Sequence, residues 1–197
     1  VVHTREPGGT PLGESIRKLL LDPAHRRLSP KTEFLLYEAC RSQHVDEKIQ
    51  SALSEGKVVV CERFSDATMA YQGYGRGLDL TALSRVDRFA TAGIQPDATL
   101  LFDLPAEVGL RKAISSKREF STKGDRIEQA GLAFHRRVRR GYLALARRNR
   151  RIRVISVQPG SSPESTFDRL RQFLKDMIQR EGLNEGCAKR RSQHRQS

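Results

Sequence analysis

Residues Lys57–Arg63 read KVVVCER. A short apolar, β-branched run of this kind is consistent with a buried parallel strand, here Val58–Cys61, and it stops at the charged pair Glu62-Arg63. In an open α/β sheet ligands collect beyond the carboxyl ends of the strands, so that pair marks a place for chemistry as well as a strand end.

Upstream, Thr4–Arg17 reads TREPGGTPLGESIR. Arg5 and Glu6 sit beside a Pro-Gly-Gly turn that runs into a helix capped by Thr10 and opened by Pro11, the layout of a strand-to-helix loop that handles a charged ligand. Leu12, Ile16 and Leu20 fall on one face before Asp22-Pro23 ends that helix. Ser29-Pro30 repeats the start signal. The second helix carries Tyr37, Arg41, Val45, Ile49 and Leu53 at four-residue spacing until Gly56 closes it, so Tyr37 and Arg41 share a face.

Downstream, a glycine-rich loop, YQGYGRG (Tyr71–Gly77), precedes a helix over about Leu80–Ala92 and the apolar run ATLLFDL, a second buried strand ending at Asp103. A helix follows Pro105, and the polar stretch Ser115–Arg126 reads as a loop or lid. Ile127, Gly131, Phe134, Val138, Tyr142 and Leu145 mark the buried stripe of a long helix. IRVISV (Ile152–Val157) gives a further strand, and Phe167, Leu170, Phe173, Leu174 and Met177 pack a last helix over Pro163–Arg180. Strands separated by helices make a doubly wound parallel sheet with helices on both faces.

The chain has 197 residues, 37% of them hydrophobic, which suits one globular domain, taken as 1–181, with a basic, disordered tail over 182–197. No apolar run approaches the ~20 residues that cross a bilayer and no leader pattern opens the chain, so a soluble, cytoplasmic protein without a membrane is expected. Cys40, Cys61 and Cys187 are too scattered for a disulfide framework or a zinc site. The net charge of +13 calls for a polyanionic partner or an anionic substrate. Nine arginines and no acid lie between Arg136 and Arg153, and a second basic cluster spans Ala188–Arg195. No aromatic residues interleave with these charges as a stacking platform needs, which argues against nucleic acid.

Three charged strand ends, Arg5-Glu6, Glu62-Arg63 and Asp103, then point at one crevice. Arginine forks suit phosphate, and a neighbouring carboxylate can hold a divalent cation. Each pair alone would be an ordinary surface ion pair. Their shared location points to a phosphorylated ligand.

Four stretches together, TREPGGT, YEACR, ERFSDATMAYQGYGRG and GDRIEQAGLAFHRRVRRGYLALA, resemble the bacterial thymidylate kinases from Val1 to about Arg180. The resemblance implies a P-loop nucleoside monophosphate kinase fold with a lid at about 115–126. The reaction it implies takes ATP and thymidine monophosphate (dTMP) to ADP and thymidine diphosphate, with Mg2+, in an enzyme that is a homodimer when complete. It places the thymine-stacking ring at Tyr37, the base-binding arginine at Arg41, a polar neighbour of the base at Thr68, a ring favouring deoxyribose at Tyr71 and a substrate neighbour at Gln72. Arg63 corresponds to the grip on the acceptor phosphate, helped by Arg5. Arg118, Lys123 and Arg126 are the lid candidates for a cation over the transferring phosphoryl group, and Arg126 lies in the family's DRIE pattern, where it would also contact the ATP. Glu62 stands where the family has an aspartate, a catalytic and metal-binding position lengthened by one methylene. Ala67 replaces a hydroxyl residue.

The family's strand, phosphate loop of the form G-x-x-x-x-G-K-[ST] and first helix precede the TREPGGT stretch, and that motif does not occur in the 197 residues. The resemblance therefore implies an absent first, central strand, with Val58–Cys61 and Thr99–Asp103 left unpaired with each other. It also implies a chain that by itself does not transfer phosphate. The competing readings are another nucleoside monophosphate kinase and a non-catalytic basic protein that binds nucleic acid.

Overall fold

The computed structural model describes residues 1–116, 124–158 and 160–180. Strand β1 (Val2–Arg5) leads through the Pro-Gly-Gly turn into α1 (Pro11–Leu21). The Thr10 hydroxyl accepts from the Gly13 N–H at 3.0 Å, and Pro11 occupies the first helical position, where its missing N–H costs nothing. Ile16 and Leu20 are buried as their spacing predicts. Leu12, expected on the same face, is 51% exposed, because in the first turn it stands off the core.

Helix α2 (Pro30–His44) starts at the Ser29 cap and does not stop at His44. Its backbone continues through a π-helical turn over Val45–Ile49 and then α3 (Gln50–Ser54). A strict four-residue repeat drifts by about 40° per step around an α-helix. The wider π turn takes up that drift, which keeps Arg41, Val45 and Ile49 all buried.

Strand β2 (Val59–Glu62) pairs in parallel with β1, Val2 opposite Val59 and Arg5 opposite Glu62. The ladder is extended by Glu6 N–H donating to Glu62 O at 2.9 Å, so both charged strand ends stand side by side. Buriedness alternates along β2, and Val58 and Val60 are 58% and 50% exposed, so the strand is not enclosed on both faces as its valines suggested.

After β2 the chain forms α4 (Ser65–Thr68) and a second π-helical segment over Met69–Gly75. The stretch expected as a glycine-rich loop is thus largely helical. It packs on α7 (Leu132–Arg148), with Gly141 under the Tyr74 ring, where a Cβ would come within 2.6 Å of Tyr74. Helix α5 (Leu80–Ala90) then leads to β3 (Thr99–Asp103) and α6 (Ala106–Ser116). The long helix α7 starts at Leu132 and not at Ile127, since Gly131 at φ 87° breaks the path from the preceding 3-10 turn, Glu128–Ala130.

Strand β4 (Ile152–Ser156) forms a second two-stranded sheet with β3. Among the described residues no ladder joins β2 to β3, so the sheet is divided two and two. The main core joins Ile16, Leu20 and Leu21 of α1 and Cys40 of α2 to Ala70, Ile127, Phe134 and Val138. A smaller one, Val45, Ile49 and Phe64, lies under Cys61 and Val59.

The chain divides into two compact units, Val1–Val154 and Ile155–Ser197, a division inside the 1–181 span expected as one domain. Helix α8 (Pro163–Arg180) belongs to the second, and its Phe167, expected inside, is 51% exposed. Among the described residues no helix is long and apolar enough to cross a membrane. The tail expected over 182–197, with Cys187, lies outside the described residues.

Candidate active site

The face that α2 turns inward is polar. Glu33, Glu38, Arg41 and His44 are buried at 0%, 3%, 2% and 0% exposure, with Tyr37 half-buried among them. Charges hidden to this degree need partners, and each one finds them in the strand ends and in the segment after β2.

Thr4, His44, Glu6 and Arg41 form a chain. Thr4 Oγ1 lies 2.7 Å from His44 Nε2, His44 Nδ1 lies 2.9 Å from Glu6 Oε1, and Arg41 Nε donates to Glu6 Oε2 at 2.8 Å. A carboxylate accepts only, so His44 donates from Nδ1, and in the neutral ring Nε2 accepts a hydrogen bond from the Thr4 hydroxyl. Gly9, at φ 85°, passes directly over this pair: a Cβ there would sit 2.7 Å from the His44 ring and 2.8 Å from Thr4 Oγ1. The second glycine of the turn is thereby required by the histidine beneath it.

Arg41 Nη1 donates to Glu38 Oε1 at 2.5 Å, Thr68 Oγ1 at 2.8 Å and Asp87 Oδ1 at 2.9 Å. Three carboxylates thus surround one guanidinium, whose carbon also stands 5.3 Å from the centre of the Phe64 ring. Burial pushes the Glu38 carboxyl up to about 7, with Asp87 adding to the rise and Arg41 opposing it. The Asp87 carboxyl is raised as well, again by burial first. Burial works against the Arg41 charge, but the three carboxylates outweigh it and its pKa is raised.

Arg63 follows β2 with a backbone φ of 66°, the left-handed region that costs a side-chain-bearing residue about 1–2 kcal/mol. That turn sets its guanidinium 5.0 Å over the Tyr71 ring. Tyr71 is in turn packed edge-on against Phe134 and Tyr142, with centroids 6.0 and 6.2 Å away. Local strain at a residue of this kind is a common mark of a functional position.

One cleft is lined by Tyr37, Arg41, Arg63, Thr68, Tyr71 and Gln72, together with Glu6 and Ala67. Six residues singled out in the sequence therefore meet in one place. Others do not. Arg5 is paired with Glu14 of α1 at 3.1 Å, and Asp103 with Arg139 of α7 at 2.7 Å. Arg126, expected in the lid, is buried: its Nε donates to Leu20 O at 2.7 Å and its Nη1 to Glu33 Oε2 at 2.7 Å, so it ties α1 to α2 and does not line the cleft. Glu33 also accepts from Gln72 and from Arg76, and these partners outweigh burial and hold its carboxyl below the ordinary range. Arg118 and Lys123 lie outside the described residues, and Ser115 and Ser116, expected in the lid, belong to α6.

Glu6 was expected at the crevice as a charged strand end, whereas Glu33, Glu38, His44 and Asp87 were missed as site residues. The signal was present for three of them, Glu33, Glu38 and His44: polar residues recurring at three- and four-residue steps along α2, on the face that includes Tyr37 and Arg41. Asp87 gave none, because only the tertiary approach of α5 brings it to Arg41.

Glu62 is exposed at the end of β2, beside Arg63, and its side chain has no hydrogen-bond partner among the described residues. A single open carboxylate suits Mg2+, which is held by one or two carboxylates and otherwise by water and phosphate oxygens. Glu6, His44 and Cys61 also bring donor atoms within 4.8 Å of one another. There both imidazole nitrogens and the carboxylate are already engaged, and burial, the largest cause, raises the Cys61 thiol and keeps it protonated. That cluster does not fit a resident metal.

A family model described as thymidylate kinase matches residues 1–166. Among curated proteins, a thymidylate kinase of Desulfosudis oleivorans is 55% identical over 149 residues, 75% of this chain and 70% of the relative. One of Carboxydothermus hydrogenoformans is 49% identical over 183 residues, covering 93% and 83% of the two chains. The crystal structure of thymidylate kinase from Ehrlichia chaffeensis superposes with a TM-score of 0.68 at 29% identity, over 88% of this chain and 80% of that one.

Proposed function

The chain belongs to the thymidylate kinase family of nucleoside monophosphate kinases, and from that premise we propose that the cleft between α2 and the segment after β2 is its dTMP site. The observation that carries the reading is the meeting of Tyr37, Arg41, Arg63, Thr68, Tyr71 and Gln72 in one cleft.

In this reading the thymine ring stacks on Tyr37, and Arg41, a donor with no acceptor atom, selects a base that offers a carbonyl at its edge. Thr68 and Gln72 are polar neighbours held in place by Arg41 and Glu33. The Tyr71 ring crowds the sugar and favours deoxyribose. Arg63 neutralises the acceptor phosphate, whose oxygen attacks the γ-phosphorus of ATP as the bond to the β-phosphate oxygen breaks and ADP leaves. Arg5, paired with Glu14 outside the cleft, supports that phosphate by its charge from the neighbouring strand end and not by a direct contact. Glu62 would hold Mg2+, which when bound neutralises charge on the phosphate oxygens. Arg118 and Lys123 act from the lid, Arg126 fixes the lid's return to the core, and the complete enzyme works as a homodimer. Residues 1–181 form the catalytic domain, and 182–197 are not needed for the reaction.

The donor side is different. No G-x-x-x-x-G-K-[ST] segment stands within the 197 residues, and in the family that segment cradles the ATP phosphates. The division between β1-β2 and β3-β4 supports a place for the family's central strand between them. We infer that the 197-residue polypeptide assayed by itself holds dTMP without turning it over. Turnover within about tenfold of the ~1–100 s⁻¹ usual for kinases would contradict this.

The test of the substrate is displacement of a fluorescent dTMP analogue from the chain by dTMP, dCMP, dAMP and dGMP, which share the phosphate and differ in the base. Displacement by dTMP at least tenfold better than by the others is expected. Equal displacement by all four would overturn the assignment in favour of a general phosphate site.

A further inference from the structure

Arg41 is more heavily constrained than a base-binding arginine needs to be. Its Nε is held by Glu6 and its Nη1 by Glu38, Thr68 and Asp87. Its Nη2 makes no hydrogen bond among the described residues and is not one of the buried side-chain atoms left without a partner, so it keeps access to the cleft that Arg41 lines. The guanidinium is planar, so fixing two of its nitrogens fixes the direction of the third.

We propose that Glu38 and Asp87 are positioning residues that set the thymine specificity of the cleft by locking Arg41 with Nη2 as its one free donor toward the base edge. They arrive from different elements, Glu38 one turn before Arg41 on α2 and Asp87 from α5. Together they hold Nη1 from two directions, and Thr68 bridges, donating to Glu38 Oε1 at 3.2 Å while it accepts from Arg41. The arrangement has a cost that a purely structural ion pair would avoid. Three carboxylates share one cation, burial raises both Glu38 and Asp87, and Glu38 Oε2 is buried with no partner among the described residues. An excess of buried acid is tolerated where it fixes a geometry that function uses. A donor held in one direction rewards the carbonyl at position 4 of thymine and meets only another donor in the amino group of cytosine.

This inference rests on the dTMP reading above, and the experiment separates the two. Dissociation constants for dTMP, dCMP and deoxyribose 5-phosphate, which has no base, are measured on the unaltered chain and on Glu38→Ala, Glu38→Gln and Asp87→Ala. If the unaltered chain binds no dTMP, the substrate reading itself fails. If it binds, Glu38→Ala and Asp87→Ala are expected to weaken dTMP about tenfold, to narrow the preference over dCMP by a similar factor and to leave deoxyribose 5-phosphate unchanged. Glu38→Gln, which keeps the accepting oxygen, should stay within about threefold for all three ligands. Asp87, at the open end of the cluster with 13% of its side chain exposed, is the site that best tolerates truncation. It carries the test if Glu38→Ala does not fold. Unchanged discrimination in a folded variant would overturn the proposal. So would an equal loss for the base-free ligand, or failure of both truncations to fold, since these assign the carboxylates to structure alone.

Discussion

Glu6 and Arg41, 35 residues apart in sequence, are joined by a 2.8 Å ion pair in which both side chains are almost completely buried, at 4% and 2% exposure. The pair fastens the end of β1 to the last turn of α2 and so ties the first strand to the floor of the cleft. Without Glu6 the Arg41 charge is still balanced by Glu38 and Asp87, but two buried donors, Arg41 Nε and His44 Nδ1, lose their acceptor, which typically costs about 1–3 kcal/mol each. Glu6→Ala should lower the unfolding free energy in urea by the sum of the two. A loss under about 1 kcal/mol would mean that water or another acid replaces the carboxylate.

Arg63 combines a strained backbone with a proposed phosphate contact, and the two can be separated. Arg63→Gly should weaken dTMP by about tenfold or more, because a charge-assisted hydrogen bond is worth about 1.5–3 kcal/mol. The same change relieves a φ of 66° that glycine adopts freely, so the melting temperature should hold or rise. Tyr71→Phe keeps the ring under the guanidinium and should change dTMP affinity by less than about threefold. Equal losses from the two changes, measured by calorimetric titration, would contradict the separate roles.

The fold was legible to the extent that it follows from local signals. Thr10-Pro11 and Ser29-Pro30 announced two helix starts, and the valine and leucine runs announced β2 and β3. Features set by the tertiary structure were not legible. The π turn at Val45–Ile49, the helical winding of Met69–Gly75 against α7 and the burial of Arg126 on Glu33 each arise from contacts between distant segments. The site divides the same way. Tyr37, Arg41, Arg63, Thr68, Tyr71 and Gln72 were readable from motif and spacing, whereas Asp87, 46 residues from Arg41, has meaning only once α5 is folded beside α2.

Glu38 makes stability depend on pH in a predictable direction. Its carboxyl titrates at about 7 in the folded chain and near 4.5 when unfolded, so between those values the native state holds the proton and the unfolded state does not. Its contribution is therefore full below about pH 4.5, falls as pH rises, and is lost above about 7, a total of about 3 kcal/mol. The groups facing it are Arg41, Asp87 and Thr68, with Glu6 and His44 next in the chain of contacts. Urea unfolding at pH 5.5 and 8, an interval chosen to bracket about 7, should show the unaltered chain losing stability relative to Glu38→Gln as pH rises. Parallel profiles for the two proteins would remove Glu38 as the titrating group.

Asp66 and Arg151 supply the contact that joins α4 to the turn before β4. Arg151 Nη1 and Nη2 reach the two Asp66 oxygens at 2.7 Å each, and the Thr99 hydroxyl at the start of β3 donates to the same carboxylate at 2.8 Å. Because β2 and β3 share no ladder among the described residues, this clamp is a main polar tie between the two strand pairs. Asp66→Ala should cost about 2–3 kcal/mol, less than a fully buried pair because Arg151 keeps 18% of its side-chain surface. An unfolding free energy within about 0.5 kcal/mol of the original would show that the strand pairs are held together by other means.

The most direct test of the dTMP site is a crystal structure of the chain soaked with dTMP. The phosphate should lie within hydrogen-bond reach of Arg63, about 2.7–3.2 Å, with the thymine against Tyr37 and its position-4 carbonyl on Arg41 Nη2. A second basic cleft, lined by Arg136 and Arg140 of α7 and by Ala106 of α6, offers the nucleotide an alternative made of surface charge alone. Density for dTMP in that cleft, with the space between Tyr37, Arg41 and Arg63 unfilled, would contradict the account.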